Sequence, residues 1–118
     1  MFKLLAKPLS IDDQNNLVSE KLDWILKCCR PTKVILFGSA ARYEMTDASD
    51  IDLVLIFPDT VDLSIIKESV FKSRPRDDWP HDLLFFTESQ FIKSCASGGG
   101  AAYLAQNEGR TLFQRDPS

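Results

Sequence analysis

Short apolar runs separated by polar segments predict a small β-sheet. Residues 34–37 and 53–57 are apolar, are rich in β-branched and aromatic side chains, and are bounded by turn residues, as is typical of buried strands. Residues 81–86 predict a third strand, and residues 111–113 predict a short edge strand. The pattern therefore indicates a sheet of three or four strands.

In the segments between these runs, apolar residues recur at helical spacing. Ser10 is a favourable N-cap for a first helix, and Pro31 ends that helix. Further helices are predicted over residues 59–72, 88–96 and 101–107, with a short one over residues 39–44. We therefore predict an α+β fold, a small mixed sheet of three to four strands with helices packed mainly on one face. A chain of 118 residues has the size of one domain, so residues 1–118 are expected to form a single domain.

Two aspartates stand at the start of the second predicted strand. Asp50 and Asp52 are separated by Ile51, and side chains at i and i+2 of a strand face the same way, ~6.6 Å apart. The two carboxylates repel each other and resist desolvation beside an apolar strand, and a divalent cation relieves both costs. Carboxylate oxygens suit Mg²⁺, which completes its shell with water and substrate phosphates. The pattern therefore predicts a magnesium site.

Gly38-Ser39 follows the first predicted strand and offers a place for a phosphate group. A glycine lets the backbone approach a ligand closely, and a serine hydroxyl and amide at the start of a helix can hold an anion. Arg42 lies one turn further along. It could contact the phosphates of a nucleotide, or it could pair with Glu44 or an aspartate, and both alternatives stay open.

The stretch from Gly38 to Asp52 resembles the signature of the DNA polymerase β-type nucleotidyltransferase superfamily. That signature is Gly-Ser, ten residues, then Asp-x-Asp, and here it is read as Gly38, Ser39, residues 40–49, Asp50, Ile51 and Asp52. The local sequences Gly-Ser-Ala-Ala-Arg and Ser-Asp-Ile-Asp-Leu-Val are similar to those of the minimal nucleotidyltransferases. These are small stand-alone domains, often paired with a HEPN protein in prokaryotic toxin–antitoxin modules. The resemblance implies the polymerase β-like nucleotidyltransferase fold.

The resemblance also implies a third acidic residue on a later strand. Asp82, near the start of residues 81–86, fits that place, although an ordinary aspartate at the start of a strand is the alternative reading. His81, its neighbour, is expected to point to the opposite side of the strand. The implied site then has catalytic and metal-binding residues Asp50, Asp52 and Asp82, which hold two Mg²⁺ ions, and nucleotide-binding residues Gly38, Ser39 and Arg42.

The implied activity is the transfer of AMP from ATP to a hydroxyl group with release of pyrophosphate. The resemblance further implies an antitoxin that modifies a tyrosine of a HEPN ribonuclease toxin. Two alternatives stay open. One is a non-catalytic binding or inhibitory module for a HEPN partner, and the other is a small-molecule nucleotidyltransferase that modifies an antibiotic.

Composition narrows the function classes. The net charge of −3 argues against a general nucleic-acid binder, which would normally be basic. Three cysteines without metal-ligand spacing favour reduced thiols of a cytosolic protein. No apolar run approaches membrane-spanning length, so we expect a cytoplasmic protein without a membrane partner. Arg74 and Arg76 could steer a phosphate or an acidic partner, or could simply be solvated, and oligomerisation stays open.

Overall fold

Four strands form one mixed sheet in the computed structural model, which describes residues 5–115. They are β1 (Lys33–Phe37), β2 (Ile51–Phe57), β3 (His81–Thr87) and β4 (Arg110–Gln114). The strands lie in the order β3-β2-β1-β4. β1 is antiparallel to both β2 and β4, whereas β2 and β3 are parallel. The predicted α+β fold with a mixed sheet of three to four strands is confirmed.

Four α-helices accompany the sheet within residues 5–115, and all but the second have bounds close to the predicted ones. They are α1 (Ile11–Cys28), α2 (Leu63–Lys72), α3 (Glu88–Ala96) and α4 (Gly100–Glu108). Ser10 caps α1 as predicted, since its hydroxyl accepts a hydrogen bond from the amide of Asp13 at 3.0 Å. Thr87 and Gln90 form a capping box that begins α3.

The second helix begins later than the sequence indicates. Asp62, rather than Asp59, is its N-cap, because the carboxylate of Asp62 accepts from the amide of Ser64. The carboxylate of Asp59 instead accepts from the amide of Ser89, at 2.9 Å, and from the Ser89 hydroxyl. Two aspartates within four residues are both good caps, so propensity alone does not choose between them.

Apolar side chains lie on both faces of the sheet. One core joins the odd-numbered residues of β2, such as Leu53 and Leu55, to Ile25 of α1 and Val70 of α2. The second core joins Val54 and Ile56 to α3 and α4 through side chains that include Phe91. Helices therefore cover both faces, where the sequence led us to expect them mainly on one.

The connections determine which end of the sheet carries the polar residues of interest. β2 runs into α2 and then into the parallel strand β3, so the first residues of β2 and β3 lie at the same end. The last residue of β1, Phe37, pairs with Asp52 at that end. None of the helices within residues 5–115 combines the length and the apolar character needed to cross a bilayer.

Candidate functional site

Asp52 and Asp82 lie side by side on the parallel strands β2 and β3. The two residues are direct partners in the strand register. Because side chains alternate along a strand, both lie on the same face as Val54 and Ile56, which is the face of α3 and α4. Asp50 immediately precedes β2, two positions before Asp52. The structure thus places all three predicted aspartates at one end of the sheet.

Asp52 feels the negative charge of the other two carboxylates. Burial raises the pKa of Asp52 above its ordinary value, and the negative charges of Asp82 and Asp50 raise it further. Asp52 is half-buried, whereas Asp50 and Asp82 are exposed. None of the three forms an ion pair with another residue within residues 5–115. This end of the sheet therefore carries uncompensated negative charge.

The aspartates suit a divalent cation by chemistry and by backbone position. Neighbouring strands are ~4.8 Å apart, so paired carboxylates on them can reach a shared ion. In the described part of the chain, no group of three or more histidine, cysteine, aspartate or glutamate side chains is already arranged to hold a metal. The three carboxylates are therefore neighbours by strand position but are not grouped around a common point in this structure.

Gly38 makes room for the carboxylate of Asp52. A Cβ atom built on Gly38 would collide with Oδ2 of Asp52. Gly38 also has a φ of 75°, a left-handed conformation that favours glycine. Glycine at position 38 thus meets two requirements at once, the left-handed backbone conformation and the close approach of the Asp52 carboxylate.

The chain after Gly38 forms a short 3-10 helix, Gly38–Ala40, rather than the predicted helix over residues 39–44. The carbonyl of Ser39 accepts hydrogen bonds from the amides of Arg42 and Glu44, at 3.2 and 2.9 Å. Tyr43 has a φ of 58°, which interrupts a right-handed helix. Ser39 is half-buried and directly follows Gly38, whose Cα lies against the Asp52 carboxylate.

Two residues that the sequence reasoning missed hold this turn in place. Arg110 of β4 donates from Nε to the carbonyl of Ala41 at 3.1 Å and stacks on the ring of Tyr43. Gln14 of α1 is buried, donates to the carbonyl of Tyr43 and accepts from the amide of Met45. The sequence does not indicate this role for either residue, because an isolated arginine or glutamine is usually exposed to solvent.

Arg42 pairs with Glu44, one of the two roles considered for it. Its Nε lies 2.6 Å from Oε1 of Glu44, and both side chains are more than half exposed. Arg42 also lines a cavity of about 170 Å³ together with Phe37, Gly38 and two residues of α4. An exposed ion pair of this kind contributes only about 0–1 kcal/mol, so it leaves the guanidinium able to turn to another anion.

His81 of β3 and Arg74 of the preceding loop contact residues other than the three aspartates. His81 contacts α1 on the opposite face, where its ring stacks on Trp24 with centroids 5.4 Å apart. Arg74 pairs with Asp78 at 3.0 Å. Arg76 is exposed.

Comparisons with known proteins show a family and a fold to which this chain is similar. A family model described as a nucleotidyltransferase domain matches residues 17–97, a segment that includes Gly38, Ser39 and all three aspartates. A solved structure from Sulfolobus solfataricus, described as a putative nucleotidyltransferase, superposes with a TM-score of 0.56. It is 17% identical, and the alignment covers 91% of this chain and 86% of that chain, so the likeness is one of fold. The search of curated proteins gives no match.

Substituting Gly38 by alanine should disturb both the turn and the aspartates. We expect Gly38→Ala to lower the free energy of unfolding by about 1–2 kcal/mol or more, because a Cβ is strained at positive φ and meets the Asp52 carboxylate. Gly99→Ala is the matched control, since nothing lies within 4 Å of its added Cβ. Urea unfolding of both variants measures the difference, and equal losses would contradict the proposed close approach.

The raised pKa of Asp52 predicts an unusual pH dependence of stability. A carboxyl whose folded pKa exceeds its unfolded value opposes folding once it is ionised, so stability falls as pH rises through that window. Asp52→Asn should therefore raise the melting temperature at pH 7, and the gain should vanish as the pH falls below the ordinary aspartate value of 3.8.

Asp59→Asn provides a control of opposite sign. Hydrogen bonds from Ser89 lower the pKa of Asp59, so its ionisation favours folding. Asp59→Asn should lower the melting temperature at pH 7, and this loss should disappear as the pH falls through the lowered pKa. Thermal melts across pH test the pair, and a destabilising Asp52→Asn at pH 7 would refute clustering of the carboxylates.

Proposed function

The chain belongs to the nucleotidyltransferase domain family, and on that premise we propose that it transfers AMP from ATP to a hydroxyl group. In this reaction the hydroxyl oxygen of the acceptor bonds to the α-phosphorus, the bond to the leaving pyrophosphate breaks, and the hydroxyl proton passes to a base. The observation that carries the proposal is the register pairing of Asp52 with Asp82, with Asp50 beside them.

The aspartates take the charge-handling roles. Asp50 and Asp52 are the proposed ligands of Mg²⁺, and Asp82 is the proposed further ligand for a second ion. Two Mg²⁺ ions, when bound, stabilise the negative charge on the attacking and leaving oxygens of an in-line displacement. Asp82 is exposed, so an incoming hydroxyl can reach it, and its carboxylate is the proposed proton acceptor.

The turn after β1 takes the phosphate-binding role. Gly38 lies against the Asp52 carboxylate, and the half-buried residue Ser39 directly follows it. Both lie at the end of the sheet that carries the aspartates, so the triphosphate would lie between this turn and β2. Arg42 is the proposed third phosphate contact, and it reaches the phosphates by leaving its weak pairing with Glu44.

The proposed acceptor is a protein. The sequence of the motif resembles that of the minimal nucleotidyltransferases. This resemblance supports an antitoxin role for this chain, with a tyrosine of a HEPN ribonuclease toxin as the modified group. Asp82 lies on an edge strand, where a docked partner can approach it from the side. Transfer of AMP to that tyrosine would make the chain a protein adenylyltransferase, and neutralisation of the toxin by this modification would make it an antitoxin.

Labelling with α-³²P-ATP and Mg²⁺ tests this proposal. The purified protein is incubated with a lysate of its source cell and with a purified HEPN protein from the same cell. We expect a labelled protein band, with the label on a tyrosine by mass spectrometry, and we expect Asp50→Asn/Asp52→Asn to abolish it. The matched control is Asp12→Asn/Asp13→Asn, which makes the same charge change on two exposed residues of α1.

The outcomes separate the candidate functions. Label on a small molecule and on no protein would overturn the protein acceptor in favour of a small-molecule nucleotidyltransferase. No label, with a HEPN partner bound equally well by the wild type and the double variant, would overturn catalysis in favour of a binding module. Loss of label in the Asp12→Asn/Asp13→Asn control would contradict the assigned site.

A further inference from the structure

A buried lysine lies behind the aspartates, on the opposite face of the sheet. The side chain of Lys21 on α1 is only 1% exposed. Its Nζ lies 2.5 Å from Oδ2 of Asp78, 2.7 Å from the carbonyl of Trp79 and 2.7 Å from Nδ1 of His81. A buried ammonium is tolerated only where such partners surround it, so Lys21 ties α1 firmly to the segment before β3.

The segment held by Lys21 is itself attached to the start of β2. Trp79 donates its indole N–H to the carbonyl of Ser49 at 2.8 Å. The next residue, Pro80, accepts a hydrogen bond from the amide of Ile51 at 3.0 Å. These two contacts fall on the residues that flank Asp50 in sequence. Asp82 follows the same segment directly, one residue after His81.

We propose that Trp79, anchored by Lys21, is a positioning residue that sets the location of Asp50 relative to Asp82. The inference rests on the proposed function, in which Asp50 and Asp82 are ligands of the same metal site. Trp79 makes no hydrogen bond to an aspartate carboxylate within the described residues; it acts through the backbone of Ser49. Strand register alone fixes Asp52 against Asp82, but Asp50 precedes β2 and depends on this attachment.

A pair of tryptophan substitutions tests the role of Trp79. Trp79→Phe removes the indole N–H that reaches Ser49 and keeps an aromatic ring. Trp24→Phe is the matched control, because the indole of Trp24 donates to a different backbone carbonyl, that of Ser73, at 3.0 Å. Both variants lose one hydrogen bond of the same kind, so a difference between them reports the location of the bond rather than its loss.

The first readout is independent of metal and of catalysis. Amide hydrogen exchange of Ile51 reports how well the start of β2 is held, and Leu55 in the middle of β2 reports the global stability of each variant. In Trp79→Phe we expect Ile51 to exchange roughly tenfold faster relative to Leu55, as the loss of one hydrogen bond implies. In Trp24→Phe this ratio should stay at the wild-type value.

The second readout is the affinity for Mn²⁺ as a stand-in for Mg²⁺, measured by electron paramagnetic resonance of the free ion. Loss of a residue that orients metal ligands typically weakens binding by about 10–100-fold. We expect a loss in that range for Trp79→Phe and wild-type affinity for Trp24→Phe. A residue that only stabilised the fold would not produce this difference between the two variants.

The two readouts separate failure of this inference from failure of the proposed function. An Ile51-to-Leu55 exchange ratio in Trp79→Phe equal to that in Trp24→Phe would overturn the positioning role, whatever the metal result. Faster exchange with unchanged Mn²⁺ affinity would overturn the link from Trp79 to the aspartate site. A wild-type protein that binds no Mn²⁺ would contradict the proposed metal site, and the exchange ratio would still decide whether Trp79 holds Asp50 in place.

Discussion

The parallel pairing of β2 with β3 is the constraint on which the candidate site depends. Parallel strands need a crossover connection, and α2 provides it here. The pairing brings the first residues of both strands to one end and places Asp52 directly beside Asp82. A shift of one residue in this register would turn one of the two carboxylates to the opposite face and separate them.

This arrangement places like charges together in a partly buried position, which opposes folding. The raised pKa of Asp52 expresses that cost, because burial and two neighbouring carboxylates all disfavour its ionised form. The rest of the fold compensates through apolar packing on both sides of β2. Gly38 makes room for this carboxylate, since only a residue without Cβ fits beside Oδ2 of Asp52.

Much of this architecture could be predicted from the sequence because local signals agreed with the global fold. The start of α3 at residue 88 was predicted from Thr87 and Gln90, which form a capping box in the structure, and its end at residue 96 from the glycines that follow Ser97. The start of α2 was misplaced because Asp59 and Asp62 offer equivalent local signals, and only the tertiary contact of Asp59 with Ser89 decides between them. A local pattern cannot contain that contact.

The supporting residues of the site were beyond reach for a related reason. The spacing of Gly38, Asp50 and Asp52 is a pattern within one continuous stretch, so it could be recognised. Arg110 bonds to that stretch from β4, whereas Lys21 of α1 bonds to Trp79, which in turn bonds to Ser49. Both residues are distant from the stretch in sequence. A lysine on an amphipathic helix normally faces water, and nothing in the sequence shows that this one is surrounded by the segment before β3.

Locating a bound ion would show whether the three aspartates form one metal-dependent site, as we propose. Substoichiometric Mn²⁺ added with ATP to ¹⁵N-labelled protein broadens the amide signals of residues near the ion. We expect selective broadening at Gly38, Ser39, residues 50–52 and Asp82, with sharp signals at the far end of the sheet, around Ser89. Broadening centred on Asp59 and Asp62 instead, or no selective broadening at all, would contradict it.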